Sequence, residues 1–139
     1  MPERKEPLAT KEERQKYQVQ WKDIPFITLG PGLNLHVVTA ERMTAIFTVL
    51  EPNSMVPYHK HEPEQLVIIT GGDGEQVLFG KRFPVKTGDV MVVPSNEEHA
   101  VYVGPKGLNT IEVFAPPRRD YEDKLAEVKK QLKKSPKAR

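Results

Sequence analysis

The chain has 139 residues and not one cysteine, which excludes disulfide staples, thiolate nucleophiles, zinc ribbons and iron–sulfur clusters. Any metal it binds must be held by imidazole, carboxylate or amide oxygen. No stretch stays apolar for the roughly 18 residues that a membrane-crossing helix needs. The opening MPERKEPLATKEERQ mixes charges where a secretory leader would have a basic end and an apolar run. These absences lead us to expect a cytoplasmic protein with no membrane partner. Charge of one sign is lacking too: 21 Lys and Arg against 19 Asp and Glu leave a formal net charge of +2, which does not point to nucleic acid. There is no internal repeat, no low-complexity segment, no phosphate-binding glycine loop and no convincing Ser-His-Asp order.

What is present suggests a β protein of one domain. Thirteen prolines fall mostly between apolar runs, where they suit strand ends and turns better than helix interiors. The segments FITLG, LNLHVVTA, MTAIFTVLE, EQLVIITG, EQVLFG, RFPVKTG, DVMVVPS, HAVYVG and LNTIEVFA are short and rich in Val, Ile, Thr, Phe and Tyr, the composition of strands. So many short strands predict an all-β sandwich or barrel. TGGDGEQ, between LVII and VLF, has the Gly and Asp content of a hairpin turn, and KTGD before VMVV reads as a second turn.

The expected organisation is a charged N-terminal arm over residues 1–20, a β-barrel over 21–118, and a C-terminal helix with a basic tail over 119–139. Leu125, Val128 and Leu132, spaced three and four apart, predict one short amphipathic helix. Its closing run of Lys and Arg reads as cations that complement a helix C-terminus and a solvated tail.

Of only four histidines, His59 and His61 stand one residue apart in HKHEPEQ. In an extended chain this puts two imidazoles on one face, about 7 Å apart along it, a chelating arrangement. The same alternation places Pro63 and Gln65 on that face and turns Glu62 and Glu64 away, so the third inward group is the Gln65 amide. A bulge at Pro63 would present Glu64 instead. His36 in LNLHVV has no such companion and reads as a strand histidine satisfied by its neighbours. Trp21, Tyr58 and Tyr102 could line a pocket or simply pack, and packing is the default expectation.

With these residues in place, the chain resembles a small single-domain cupin, a double-stranded β-helix or jelly-roll barrel. The first cupin motif, G-x5-H-x-H-x3,4-E-x6-G, is matched by Asn53, His59, His61, Gln65 and Gly72. The second, G-x5-P-x-G-x2-H-x3-N, is matched by Gly88, Pro94, Asn96, His99 and Val103. The resemblance implies that His59, His61, Gln65 and His99 ligate one divalent metal ion inside the barrel. Iron, manganese, nickel and zinc all suit mixed nitrogen and oxygen ligands. Asn53 and Asn96 replace motif glycines, and Asn tolerates the left-handed backbone that glycine would supply. Gln65 in place of Glu changes the chemistry. It leaves the site at +2 instead of +1, so a metal is held less tightly and polarises a bound oxygen more strongly.

Downstream, alternation in IEVFAPPRRDY sets Glu112 and Phe114 on one face, and the lumen is the expected side for both. The segment resembles the D-V-F-S-P-P-R-x-D-Y ending of pectin-degradation cupins that linearise unsaturated uronates. Carried over, the pocket-lining acid, Phe and Arg become Glu112, Phe114 and Arg118, with Glu one methylene longer than the family's Asp. The alternative for Arg118 is a surface or subunit-interface ion pair.

The resemblance implies a metal-dependent enzyme that opens and tautomerises a small carboxylated or sugar-derived substrate such as a 4,5-unsaturated uronate. Glu112 would move a proton, and Arg118 would pair with the substrate carboxylate. Two alternatives share the site: an iron or manganese dioxygenase or small-acid lyase, and a small-molecule-binding cupin without turnover. Barrels of this size pair through an edge strand or an N-terminal arm, so a homodimer is expected.

Overall fold

The computed structural model describes residues 2–134 of the chain. An exposed helix α1 (Lys11–Tyr17) comes first, started by Thr10 and Glu13 in a reciprocal capping box. Eight strands follow: β1 (Ile27–Thr28), β2 (Leu33–Thr39), β3 (Thr44–Leu50), β4 (Met55–His59), β5 (Glu64–Leu78), β6 (Lys81–Lys86), β7 (Val90–Val93) and β8 (His99–Ala115). Helix α2 (Arg119–Lys134) closes the described chain. The expected fold class, all-β with a C-terminal helix, is the one observed.

Every strand contact is antiparallel, and β5 and β8 form the axis. Glu64 to Leu78 pairs with Ala115 back to His99, with register shifts between Ile69 and Gly71 and between Gly72 and Gly74. The first half of β5 also pairs with β7, and the second half with β6. The first half of β8 pairs with β4, and the second half with β3, beyond which lie β2 and β1. The long ribbon thus contributes one half to each of two sheets that face each other, the jelly-roll form of a barrel.

The expected hairpin at TGGDGEQ is absent: β5 runs straight through it. The glycines there serve close approach. A Cβ on Gly72 (φ +76) would lie 2.0 Å from the Gly107 carbonyl oxygen, and one on Gly74 would lie 2.5 Å from that of Tyr102. Bulged, side-chain-free backbone lets the ribbon bend against its partner. HAVYVG and LNTIEVFA likewise belong to the single strand β8. The reversal after β5 falls instead at Phe79 and Gly80, both with positive φ (55° and 70°), the two-residue turn whose twist suits flanking strands. KTGD does form a turn, with the Asp89 amide donating to the Lys86 carbonyl at 3.0 Å and Gly88 at φ 97°. Asn53 and Asn96 hold φ of 62° and 61°, the left-handed conformation expected where the motifs carry glycine.

Alternating burial along β2 and β3 turns Leu35, Val37 and Ile46 inward. These join Phe114 and, from α2, Tyr121 and Leu125 in one apolar cluster. Of the helix residues singled out by spacing, Leu125 is buried, Val128 packs at the edge of this cluster, and Leu132 faces solvent. Tyr121, one turn earlier, takes the inward place expected of Leu132, because only the first turns of α2 lie against the barrel. The end of the basic tail, residues 135–139, lies outside the described residues.

The close approach at Gly72 yields a stability test. Gly72→Ala should lose clearly more than the roughly 1–2 kcal/mol of a left-handed alanine, because its Cβ meets backbone. Gly80→Ala, at similar φ but with nothing within 4 Å of the added Cβ, should lose only that amount, as measured by urea unfolding.

Candidate metal centre

His59 ends β4, and its Cα partner across the sheet is His99, the first residue of β8. His61 follows His59, and Gln65 is the second residue of β5. Pro63 and Gln65 are buried while Glu62 and Glu64 are exposed, so strict alternation holds and Glu64 faces solvent. The strand order brings the end of β8 to the same place: Gln65 is register partner of Phe114, and Val67 of Glu112.

One ring nitrogen from each of His59, His61 and His99 falls in a cluster with all three within 4.8 Å of one another. Each ring is oriented through its other nitrogen. Nδ1 of His59 faces the Pro57 carbonyl at 2.7 Å, that of His61 the Pro63 carbonyl at 2.8 Å, and that of His99 the Glu97 carbonyl at 2.8 Å. A carbonyl only accepts, so each Nδ1 carries the proton and each Nε2 presents a lone pair.

Those lone pairs converge without donors. His61 Nε2 lies 3.2 Å from His99 Nε2 and 3.1 Å from Gln65 Oε1. Burial lowers the pKa of all three imidazoles, that of His99 to about 4, opposed by the backbone hydrogen bonds. Neutral rings leave no proton between these acceptors, so the arrangement suits a cation. Three imidazole nitrogens and an amide oxygen are a fitting donor set for a divalent transition metal.

Gln65 connects this cluster to the acid. With Oε1 toward His61, its Nε2 donates to Glu112 Oε1, and Thr110 Oγ1 donates to Glu112 Oε2 at 2.6 Å. Thr48 and Thr110 are joined through their hydroxyls at 2.5 Å. Desolvation raises the Glu112 pKa, opposed by the hydrogen bonds from Thr110 and Gln65 and by the charge of Arg118. A glutamate at position 65 would set two carboxylates against each other here.

Phe114 stands edge-on to His61, with ring centroids 5.4 Å apart. The Arg118 guanidinium lies 3.8 Å above the Tyr121 ring and 4.9 Å from that of Phe114. Its Nε and Nη2 donate to the Asp120 carboxylate at 3.0 and 2.8 Å. Nη1 is buried with no partner among the described residues. The ion-pair alternative for Arg118 is therefore present, yet it occupies only part of the guanidinium.

His36 accepts its expected place apart from the site, its Nδ1 2.7 Å from the Ile24 carbonyl and its ring beside Trp21 and Phe26. Trp21 packs as expected, stacked on Phe47. Tyr58 and Tyr102 do not; they are 52% and 39% exposed. Sequence reasoning passed over Thr48, Thr110, Asp120 and Tyr121. Parity with Glu112 was the available signal for Thr110, and an aromatic three residues after an arginine at a helix start was the signal for Tyr121.

An interior cavity of about 40 Å³ touches His59, Gln65, His99, Glu112 and Phe114. No described helix is long and apolar enough to cross a membrane.

Residues 46–108 match the cupin domain family. The chain is 27% identical over 101 residues to the pectin degradation protein KdgF of Dickeya dadantii, covering 71% of this chain and 92% of that one. Among solved structures, KdgF from a Halomonas species superposes with TM-score 0.64 at 23% identity, over 68% of this chain and 88% of the other. An RmlC-like cupin from Shewanella frigidimarina gives TM-score 0.70 at 20% identity, over 76% and 95%.

The depressed imidazole pKa values set a pH dependence for protein kept in chelator. In the unfolded chain each imidazole takes up a proton near pH 6.5, whereas the folded site resists until lower pH, His99 until about 4. The unfolded state then binds more protons, so stability falls as pH drops from 6.5 toward 4, by on the order of 3 kcal/mol from His99 alone. Glu112, shifted upward, acts in the opposite sense, so thermal melts of Glu112→Gln should fall more steeply with acidification than those of the wild type.

Proposed function

Because the chain is a cupin that resembles the pectin degradation protein KdgF, we propose that it is a divalent-metal-dependent enzyme that linearises a small unsaturated uronate. The observation that carries this reading is the convergence of three neutral imidazoles, an amide oxygen and a desolvated carboxyl, beside a guanidinium with a free buried N–H. His59, His61, Gln65 and His99 would hold the ion. A divalent ion there supplies Lewis acidity toward a substrate hydroxyl or carbonyl oxygen.

The protein groups then have distinct tasks. Arg118 Nη1 pairs with the substrate carboxylate, while Asp120 and the Tyr121 ring keep the guanidinium in place. Phe114 packs beside both that cation and His61 and excludes water. Glu112 moves the proton: as the ring C1–O5 bond breaks and its electron pair goes to O5, it takes the hydrogen of the anomeric hydroxyl, and it returns that proton to C4 of the resulting enolate. The product is an isomer of the substrate, and the carboxyl ends as it began. A carboxyl whose pKa is raised toward the working pH both takes and returns protons efficiently. Thr110 and the Gln65 amide fix its orientation.

Turnover of a 4,5-unsaturated galacturonate, followed by loss of its ultraviolet absorbance, tests this directly. Glu112→Gln should lower kcat by about 100-fold or more with metal content unchanged, and His99→Ala should abolish both metal and turnover. Full activity in both variants would sink the proposal.

The narrow interior favours one second reading, a cupin that binds a small molecule without converting it. A cavity of about 40 Å³ has room for an ion or about three waters and not for a sugar ring. Saturable ligand binding with no product over prolonged incubation would select this reading.

The same reading includes a cytoplasmic homodimer. Its support is an apolar outer sheet face where Leu66, Val90 and Val92 are 41%, 52% and 54% exposed, with Leu66 opposite Val92. Helix α1 also buries none of its residues. Sedimentation equilibrium should give twice the 15.8 kDa chain mass, whereas a monomeric mass would refute the dimer.

A further inference from the structure

A groove of about 250 Å³ opens beside the barrel mouth. Pro57, Tyr58 and His59 form one wall, and Arg118, Asp120, Tyr121 and Lys124 form the other. Leu29, Val56, His59 and Tyr121 border both this groove and the interior cavity, so the two spaces adjoin. Since the cavity has room for an ion or about three waters and not for a sugar ring, the bulk of such a substrate must lie in the groove.

The groove has a definite charge and shape. Arg118, only 8% exposed, spends two of its nitrogens on Asp120 and has Nη1 buried without a partner. A buried donor left unsatisfied is costly, and an incoming carboxylate oxygen would relieve that cost. Asp120 cancels the charge of Arg118. Lys124 then leaves the groove with one net positive charge. It is exposed and forms no ion pair among the described residues. The N-terminal end of α2 adds partial positive charge. Across from Lys124, the exposed ring of Tyr58 offers a flat apolar face of the kind that receives the C–H face of a sugar ring.

We propose that this α2-walled groove is the carboxylate subsite for a monomeric cyclic sugar acid, with Lys124 as a specificity-determining residue at its outer edge. The inference rests on the uronate reading above and assigns it a place: carboxylate between Arg118 Nη1 and Lys124, ring on Tyr58, reacting carbon toward the histidines. Lys124 selects for charge and takes no part in the chemistry.

The test uses galacturonate and galactose, which differ in the carboxylate and lack the reactive double bond. Calorimetric titration of metal-loaded protein should show galacturonate binding that weakens about threefold in Lys124→Ala and about tenfold in Lys124→Glu, with Lys124→Arg close to wild type. Galactose binding should be weak and indifferent to all three changes, and metal affinity should not move. With unsaturated galacturonate, KM should rise in the same order while kcat stays within twofold. Lys124-dependent galacturonate binding without turnover would uphold the subsite and refute only the reaction. Turnover with KM and galacturonate affinity unchanged in Lys124→Glu, or equal losses for acid and neutral sugar, would overturn the subsite.

Discussion

The pairing of β5 with β8 is the constraint on which the rest of this structure depends. These two strands carry Gln65, His99, Glu112 and Phe114, and they lie antiparallel from Glu64 opposite Ala115 to Leu78 opposite His99. If β8 were straight, His99 and Glu112 would sit about 40 Å apart. They meet around one cavity because the ribbon bends where Gly71, Gly72 and Gly74 pass Gly104 and Gly107. The bend therefore builds the barrel and the site together: it sends half of each strand into a different sheet and returns both ends of β8 to the same mouth.

Desolvation at that mouth sets the chemistry in two opposite directions. It favours the neutral form of each imidazole, which frees nitrogen lone pairs for a cation, and it favours the protonated form of Glu112. Gln65 is where the two effects meet. One amide has an oxygen for the histidine side and an N–H for the carboxyl side, so a single neutral side chain serves both without adding charge. Glutamate could present oxygens only, and it would confront Glu112.

Helix α2 is part of the same construction. Its N-terminal residues receive Arg118 between the rings of Phe114 and Tyr121, and Leu125 anchors the helix in the barrel cluster. Thr44 ties this junction from the other side, its hydroxyl accepting from the Arg118 amide and donating to Glu122. A helix that looks from its charge like a surface appendage thus forms one wall of the opening that leads to the histidines.

Features that depend on local periodicity and on residue type could be read directly from the chain. Strict alternation assigned His59, His61 and Gln65 to the buried side and Glu64 to solvent, placed Glu112 beside Phe114, and identified an all-β body with a terminal helix. Asn53 and Asn96 were legible as left-handed positions through the motif resemblance, because they stand where the motifs carry glycine and Asn tolerates that backbone. How glycine is used in TGGDGEQ depends instead on long-range packing. A turn and a bulged close approach both call for a residue without Cβ, and what distinguishes them is backbone from a distant part of the chain. The partner of Gln65 across the barrel, the division of Arg118 between Asp120 and an open N–H, and the role of α2 as a wall arise from residues far apart along the chain or across element boundaries. No local period records such contacts, because they exist only once the β5–β8 ribbon has bent.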